Sequence, residues 1–397
     1  EYNQNITSNL TFEFDHLIKS ILELVYYIIS IIFHVIQMKI LIVSTGIQNK
    51  TGTYIVLKNI IPFLRKNNHV TILTNSGPVD IEHDKLIQLS TNRFFPQYHF
   101  MPGLTKLFHN GFFNDFDIIH TFDYPIYPTD FLTFKKSKII PPLLISAHGS
   151  IHQFSSFPLN YLKKIHNFFM LRYKNRISTF LASTLAEKNH LIECGIDNSK
   201  ILILPLGVKS LKLDFTQRNI KNITYIGRLS KTKNVELLVE AFSNLDDKDT
   251  HLTISGPDYG ELEFLKTLVH KLKIENRVTF TGWISNEDKI KLLSKTSIFV
   301  HPSLEDVFSL SLVEASASGV PVVAFDVEAN PEIITDLVTG KLVKEKNSES
   351  LRDTLNNLLN NQDLLNKFSE NGRILVSKKY DWSQSALILE NHYSSLL

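Results

Sequence analysis

Ser303-Leu304-Glu305-Asp306-Val307-Phe308-Ser309-Leu310-Ser311-Leu312-Val313-Glu314-Ala315, followed by Gly319-Val320-Pro321-Val322-Val323-Ala324, decides the fold. The stretch follows an apolar run, turns at an acidic pair and enters a helix for which Ser309 or Ser311 is the cap. Gly319 and Pro321 then stop that helix and start another apolar run. Strand, turn, helix and strand in this order make a parallel α/β unit. The helix begins where the strand ends, so its free backbone N–H groups and partial positive charge form a seat for a diphosphate. Glu314, one turn deeper, can accept hydrogen bonds from the hydroxyls of a ribose. Taken alone, Asp306 and Glu314 read more readily as ordinary cap and surface carboxylates.

The same alternation extends in both directions. Toward the amino terminus, Ile223–Ile226, His251–Ser255, Val278–Thr281 and Ile298–Val300 are strand candidates separated by helical patterns, and Val320–Phe325 follows the stretch above. An earlier series comprises Lys39–Ser44, His69–Thr74, Ile118–Thr121, Leu143–Ala147 and Thr179–Ala182, with helices expected over Gly52–Lys66 and Pro158–Asn175. The polar run Lys209–Lys221 between the two series is the best linker, and Pro205-Leu206-Gly207-Val208 reads as the turn into a hinge. A terminal helix is expected around Ala386–Tyr393, capped near Asp381 or Ser383.

Composition agrees with two α/β domains. The chain has 397 residues, too many for one ordinary core, and 43% hydrophobic with 21% charged residues is the balance of a folded globular protein. Forty-two Lys and Arg against forty Asp and Glu give a net charge of +2, which supplies no general field for nucleic acid. A single cysteine forms no intramolecular disulfide and no Cys-based zinc site, which fits a reducing, cytoplasmic setting. Residues 1–37 differ in character from the rest. Leu17–Ile36 is strongly apolar, but its uncharged part is shorter than the roughly 20 residues of a spanning helix, and Met38-Lys39-Ile40-Leu41-Ile42-Val43-Ser44 follows at once as a buried strand. The functional region is therefore expected to start at Met38. The preceding segment is left open between an extra helix, a membrane anchor and translated upstream sequence.

A second chemical element is Tyr225-Ile226-Gly227-Arg228-Leu229-Ser230-Lys231-Thr232-Lys233-Asn234. A strand, a Gly turn, Arg228 and then Lys233 place two cations above a strand's carboxyl end, where a leaving diphosphate gathers charge. Asn234 suits a left-handed turn. Ser255-Gly256-Pro257-Asp258 is a further Gly turn after a strand, and His148 closes the apolar run Ile145-Ser146-Ala147.

These motifs resemble retaining GT-B glycosyltransferases, specifically glycosyltransferase family four. The family's pattern is Glu-Gly-Phe-Gly-Leu, three variable residues, Glu-Ala, then Gly-x-Pro-Val. Phe308, Leu310, Glu314, Ala315, Gly319, Pro321 and Val322 match it, while Asp306 replaces the first Glu and Val307 and Ser309 replace the two glycines. The family's Gly-Arg-Leu, three residues, Lys-Gly is met by Gly227, Arg228, Leu229 and Lys233, with Asn234 at the final Gly.

The resemblance implies two facing Rossmann-like domains with parallel sheets and a C-terminal crossover helix. Residues 38–210 would form the acceptor domain, 211–378 the nucleotide-sugar domain, and 379–397 the returning helix. It implies transfer from a UDP- or GDP-linked sugar to a glycan or lipid-linked acceptor, with retention and without a metal or other cofactor. Arg228 and Lys233 would hold the diphosphate, Asp306 would position the sugar, and His148 would sit by it. Gly52, Gly227, Gly256, Phe308, Ser309 and Leu310 would line the donor, Trp283 and Ile284 would read the base with backbone groups, and Glu314 would hold the ribose. Pro331-Glu332 and Thr339-Gly340 match distal family elements expected to be structural.

Two alternatives stay open: a nucleotide-sugar epimerase of the same architecture, and a catalytically silent partner subunit, the latter because of Asp306, Val307 and Ser309. For the acceptor, an aromatic-rich stretch from Asn92 to Phe113 and a basic amphipathic helix from Tyr161 to Lys174 stand out. The helix suits an anionic membrane surface or a lipid-linked acceptor. It also reads as a core helix with a solvated basic face.

Overall fold

The computed structural model describes residues 37–47, 52–95, 98–149, 151, 159–208 and 221–397. The leading apolar segment, Thr51 and nearly all of the expected linker lie outside the described residues. The strands in chain order are β1 (Lys39–Val43), β2 (His69–Asn75), β3 (Lys85–Leu89), β4 (Asn92–Phe95), β5 (Tyr98–Phe100), β6 (Ile118–Phe122), β7 (Leu143–Ser146), β8 (Thr179–Ala182) and β9 (Ile201–Ile203). They continue as β10 (Asn222–Ile226), β11 (His251–Ser255), β12 (Val278–Gly282), β13 (Ile298–His301), β14 (Val322–Phe325) and β15 (Lys341–Val343).

Seven of them form a parallel sheet in the order β3-β2-β1-β6-β7-β8-β9, and six form a second parallel sheet in the order β12-β11-β10-β13-β14-β15. In each, the chain starts at a central strand, winds to one edge, then returns to wind to the other. That reversal opens a crevice at the carboxyl ends of β1 and β6 and of β10 and β13. β6, β7, β8, β13 and β14 are buried along their whole length. Covered on both faces, they lack the buried-exposed alternation of a half-solvated strand, and even His120, Thr121 and His301 are buried in them.

Every strand expected from the sequence is present within two residues of its bounds. Three parallel strands were not expected. β3 and β9 are edge strands with no fully buried residue, and β15 is three residues long. The antiparallel β4-β5 hairpin occupies the aromatic-rich stretch. The long helix expected over Pro158–Asn175 runs Leu159–Leu171 and breaks into a 3-10 turn at Lys174–Arg176.

The terminal helix Trp382–Ser395 is capped by Asp381, whose side chain accepts from the Ser383 N–H. It packs on the helix Gly52–Leu64 beneath the first sheet. Polar contacts fix its placement. The fully buried His120 meets Tyr393 Oη through Nδ1 at 2.6 Å and Ser146 Oγ through Nε2 at 2.8 Å. Glu390 accepts from Asn68 Nδ2 at 2.7 Å. The hinge turn also lies here, since the Val208 N–H donates to the Tyr380 carbonyl at 2.9 Å. The chain thus leaves the first sheet and returns to it at one place, and a single apolar core runs from Ile40 and Leu57 through Trp382 and Tyr380 to Phe308 and Leu312.

Candidate active site

Three turns stack at the carboxyl ends of β10, β11 and β12. The Gly227 N–H donates to Ser255 O at 2.9 Å, and the Gly256 N–H donates to Gly282 O at 2.8 Å. Gly256 has a φ of 145°, and a Cβ there would lie 1.8 Å from the Gly227 carbonyl oxygen. Only glycine permits this approach. The turns are tied again one residue on, where the Leu229 N–H donates to Pro257 O at 2.9 Å and the Tyr259 N–H to Leu229 O at 2.9 Å. Between those ties stands Arg228. Its carbonyl accepts from the buried Tyr225 Oη at 2.9 Å, and its exposed guanidinium lies 5.4 Å from the Tyr259 ring centroid. Trp283 and Ile284 follow Gly282, and the Trp283 side chain is exposed.

Lys233 ends a 3-10 turn, and Asn234 after it is left-handed, with φ 53° and ψ 39°, as its chemistry suggests. The turn drives Lys233 inward, where its Nζ lies 2.5 Å from Asp306 Oδ2. His301, at the end of β13, reaches the same carboxylate oxygen from Nε2 at 3.1 Å. Burial pushes the Asp306 carboxyl up, but the Lys233 ammonium and the His301 imidazole outweigh it and hold it down at about 2. Burial likewise lowers the His301 imidazole below its ordinary value. Asp306 is therefore an anion held by two partners.

The helix of the opening motif runs Leu310–Ala317. Ser309 is its cap, accepting from the Leu312 N–H. The Ser that stands in place of the family's Gly thus ends the helix in a defined geometry. Phe308 is buried against Tyr380, with ring centroids 5.6 Å apart. Glu314 is mostly buried, and its Oε1 accepts from Lys289 Nζ at 2.7 Å. Lys289 belongs to Asn286–Ser294, the helix that follows the Trp283 turn. No spacing in the sequence pointed to Lys289 or to His301 as a partner. Each meets its carboxylate through the fold.

The first sheet supplies the opposite side. His148 follows β7 with a φ of 47°, and its buried Nε2 has no hydrogen-bond partner among the described residues. Gly149 has a φ of 77°, and a Cβ there would lie 2.6 Å from Val307 Cγ2. Val307, which replaces a family Gly, therefore fills the space between the acidic motif and the His148 turn. Glu187 pins that turn, accepting from Gly149 N at 2.5 Å and Ser183 N at 2.7 Å. Further contacts join the two sides: Thr184 Oγ1 donates to Val307 O at 3.0 Å, and Glu332 accepts from the N–H groups of Leu185 and Ala186, both at 2.9 Å. Asp123, after β6, accepts from Ser44 Oγ at 3.0 Å and from Thr53 Oγ1. Gly52 is exposed at the start of its helix, with nothing within 4 Å of a Cβ built there.

The fold thus brings Gly227, Arg228, Lys233, Gly256, Asp306, Phe308, Ser309, Leu310 and Glu314 to one end of the second sheet. His148 joins them across Val307, whereas Gly52 is exposed at the start of its helix in the first half of the chain. Cations beside a helix N-terminus, with an acid one turn deeper, suit a nucleoside diphosphate joined to a polar group.

Two sheets of this order with a returning terminal helix define the GT-B class. Anabaena HepE, solved in complex with UDP and glucose, superposes with a TM-score of 0.75 over 90% of this chain and 100% of its own, at 18% identity. Residues 51–210 match the model of glycosyltransferase family 4, and residues 215–375 that of glycosyl transferases group 1. The chain belongs to this family of nucleotide-sugar-dependent glycosyltransferases. Among curated proteins, an uncharacterised glycosyltransferase of Methanocaldococcus jannaschii is 27% identical over 70% of this chain and 75% of its own length. The D-inositol 3-phosphate glycosyltransferase of Nocardia farcinica is 26% identical over 55% of this chain and 52% of its own.

Proposed function

We propose that the chain transfers a hexosyl group from a nucleotide-sugar donor, UDP- or GDP-linked, to a hydroxyl of a glycan or lipid-linked acceptor, with retention of configuration and without a metal. The observation that supports this most is the meeting of Arg228, the Lys233–Asp306 pair and the Ser309-capped helix with Glu314 at one strand end. Anabaena HepE was solved with UDP, which favours the uridine nucleotide.

In this reading the bond between the anomeric carbon and the phosphate oxygen breaks, and its electron pair leaves on the diphosphate. Arg228 and Lys233 face that charge, so they do the electrostatic work that a metal does elsewhere. Asp306, kept ionised, accepts from sugar hydroxyls, and Glu314 from the ribose. His148 offers an unpaired nitrogen to the sugar from the opposite side. The acceptor hydroxyl attacks from the face the diphosphate leaves, and its proton passes to a phosphate oxygen. The acceptor binds on the side of the first sheet.

The test is a panel of nucleotide sugars scored for hydrolysis and for transfer to glycan and lipid-linked acceptors, with the anomer read by NMR. Transfer with a retained anomer is expected. Epimerised donor without transfer, or no nucleotide binding at all, overturns the reading.

A further inference from the structure

A helix on the surface of a globular protein turns its apolar stripe to the core. The helix Leu159–Leu171 does not. Among its described side chains Asn167 and Met170 are buried, whereas Ile165, Phe168 and Phe169 are exposed, Phe168 at 70% and Phe169 at 57%. With Arg172 these residues follow the i, i+3, i+4, i+7 spacing of one face. The apolar stripe therefore points outward, which rules out the reading of this helix as a core element that exposes only its basic face.

Two residues past the end of this helix, Tyr173 meets the helix Tyr127–Lys135. There the exposed Phe134 packs edge-on to Tyr173 at 4.9 Å, and the Arg176 guanidinium covers the same Tyr173 ring at 4.5 Å. Charge is distributed just as unevenly. Residues 131–186 contain eight Lys and Arg and no Asp or Glu, in a chain whose net charge is +2. Lys164 stands beside the outward stripe on its helix and Arg172 continues the stripe just past the helix end, and both are exposed.

We propose that this face docks on an anionic lipid bilayer, with Phe168 and Phe169 entering the interface and the surrounding cations against the headgroups. Aromatic residues on one face with Lys and Arg around them are what holds a helix in the plane of a membrane surface. Charge complementarity selects this occupant. A second copy of the chain would bring a like-charged face against this one, and nothing in the segment offers the carboxylates to pair it. The inference goes beyond the proposed transfer reaction and does not rest on it.

The test uses the full chain carrying Phe168→Trp, compared with the parent, whose own tryptophans are Trp283 and Trp382. Vesicles of phosphatidylcholine with about one third phosphatidylglycerol, bearing brominated acyl chains, report tryptophan that enters the interface. Emission quenching above that of the parent is expected with these vesicles. It should be absent with pure phosphatidylcholine and lost when Lys164→Glu and Arg172→Glu are added. The local probe keeps the result independent of any binding by the leading apolar segment. The proposal is overturned by no added quenching on anionic vesicles, by equal quenching on neutral ones, or by indifference to the charge reversals. It is also overturned if light scattering shows a dimer that Phe168→Ser dissociates, because the face then belongs to a second copy.

Discussion

Lys233 Nζ lies 2.5 Å from Asp306 Oδ2, so the cation proposed to face the diphosphate and the carboxylate proposed to face the sugar are bonded to each other. The two charges neutralise each other, and His301 Nε2 reaches the same carboxylate oxygen at 3.1 Å. Removing one member leaves the other charged and mostly buried, at a cost of about 3 kcal/mol. Asp306→Leu alone is expected to lower stability by that amount, and Lys233→Met added to it should recover most of the loss. Urea unfolding of both variants checks this. A double variant no more stable than the single one would mean that the pair carries no such coupling.

Glu314 and Lys289 give a second expectation. If the carboxylate receives the ribose hydroxyls, Glu314→Ala weakens nucleotide affinity by about tenfold or more, the range of a charge-assisted hydrogen bond. Lys289→Met leaves the carboxylate in place but unsupported, and its effect is smaller. Calorimetric titration with UDP and GDP reads both, and equal affinity in the parent and Glu314→Ala removes Glu314 from the site.

Gly256→Ala tests the stacked turns. A methyl group 1.8 Å from the Gly227 oxygen forces two strand ends apart. The expected loss is on the order of 3 kcal/mol. A fall in melting temperature of roughly 10 °C follows for a domain of this size. Arg228 hangs on the same turns, so nucleotide affinity falls with it. An unchanged melting temperature would show that the turns are not locked.

Acid should destabilise the chain well before its carboxylates titrate. Burial holds the His120 imidazole well below its ordinary value, and His301 is lowered in the same way. Below about pH 6.5 the unfolded chain takes up protons on both residues, and the folded chain does not. Stability is therefore full above that pH and declines beneath it, by at most about 1.4 kcal/mol per pH unit for each histidine. Thermal unfolding between pH 7.5 and 5.5 reads the slope, which His120→Gln should flatten. A flat parent curve would contradict the assignment. The Asp306 carboxyl adds loss of the same sign only between about pH 4 and 2.

Much of this was legible in the sequence, for stated reasons. A strand buried on both faces, such as β14, announces itself as an unbroken apolar run, and Asn234 and Ser309 carry turn and cap chemistry in their side chains. β3, with Lys85 and Gln88 at a sheet edge, has no such run, and its pairing comes from β2 beside it. Partners were the least legible. Lys289 for Glu314, His301 for Asp306, Glu187 for the His148 turn and Glu332 for the helix Leu185–Glu193 are contacts made by folding, and no local spacing encodes them. The outward stripe of Phe168 and Phe169 was visible as a pattern, but which way it faces depends on the packing of Asn167 and Met170.

Arg228, fixed by Tyr225 and the Gly256 turn, is the residue proposed to stabilise the departing diphosphate. The most direct test of that role is kcat for donor turnover by Arg228→Ala, measured beside the parent with the nucleotide sugar the panel identifies. Removing one such charge is expected to lower kcat by 10²–10³-fold, while the melting temperature of this exposed position stays unchanged. Turnover within a few-fold of the parent would contradict the account.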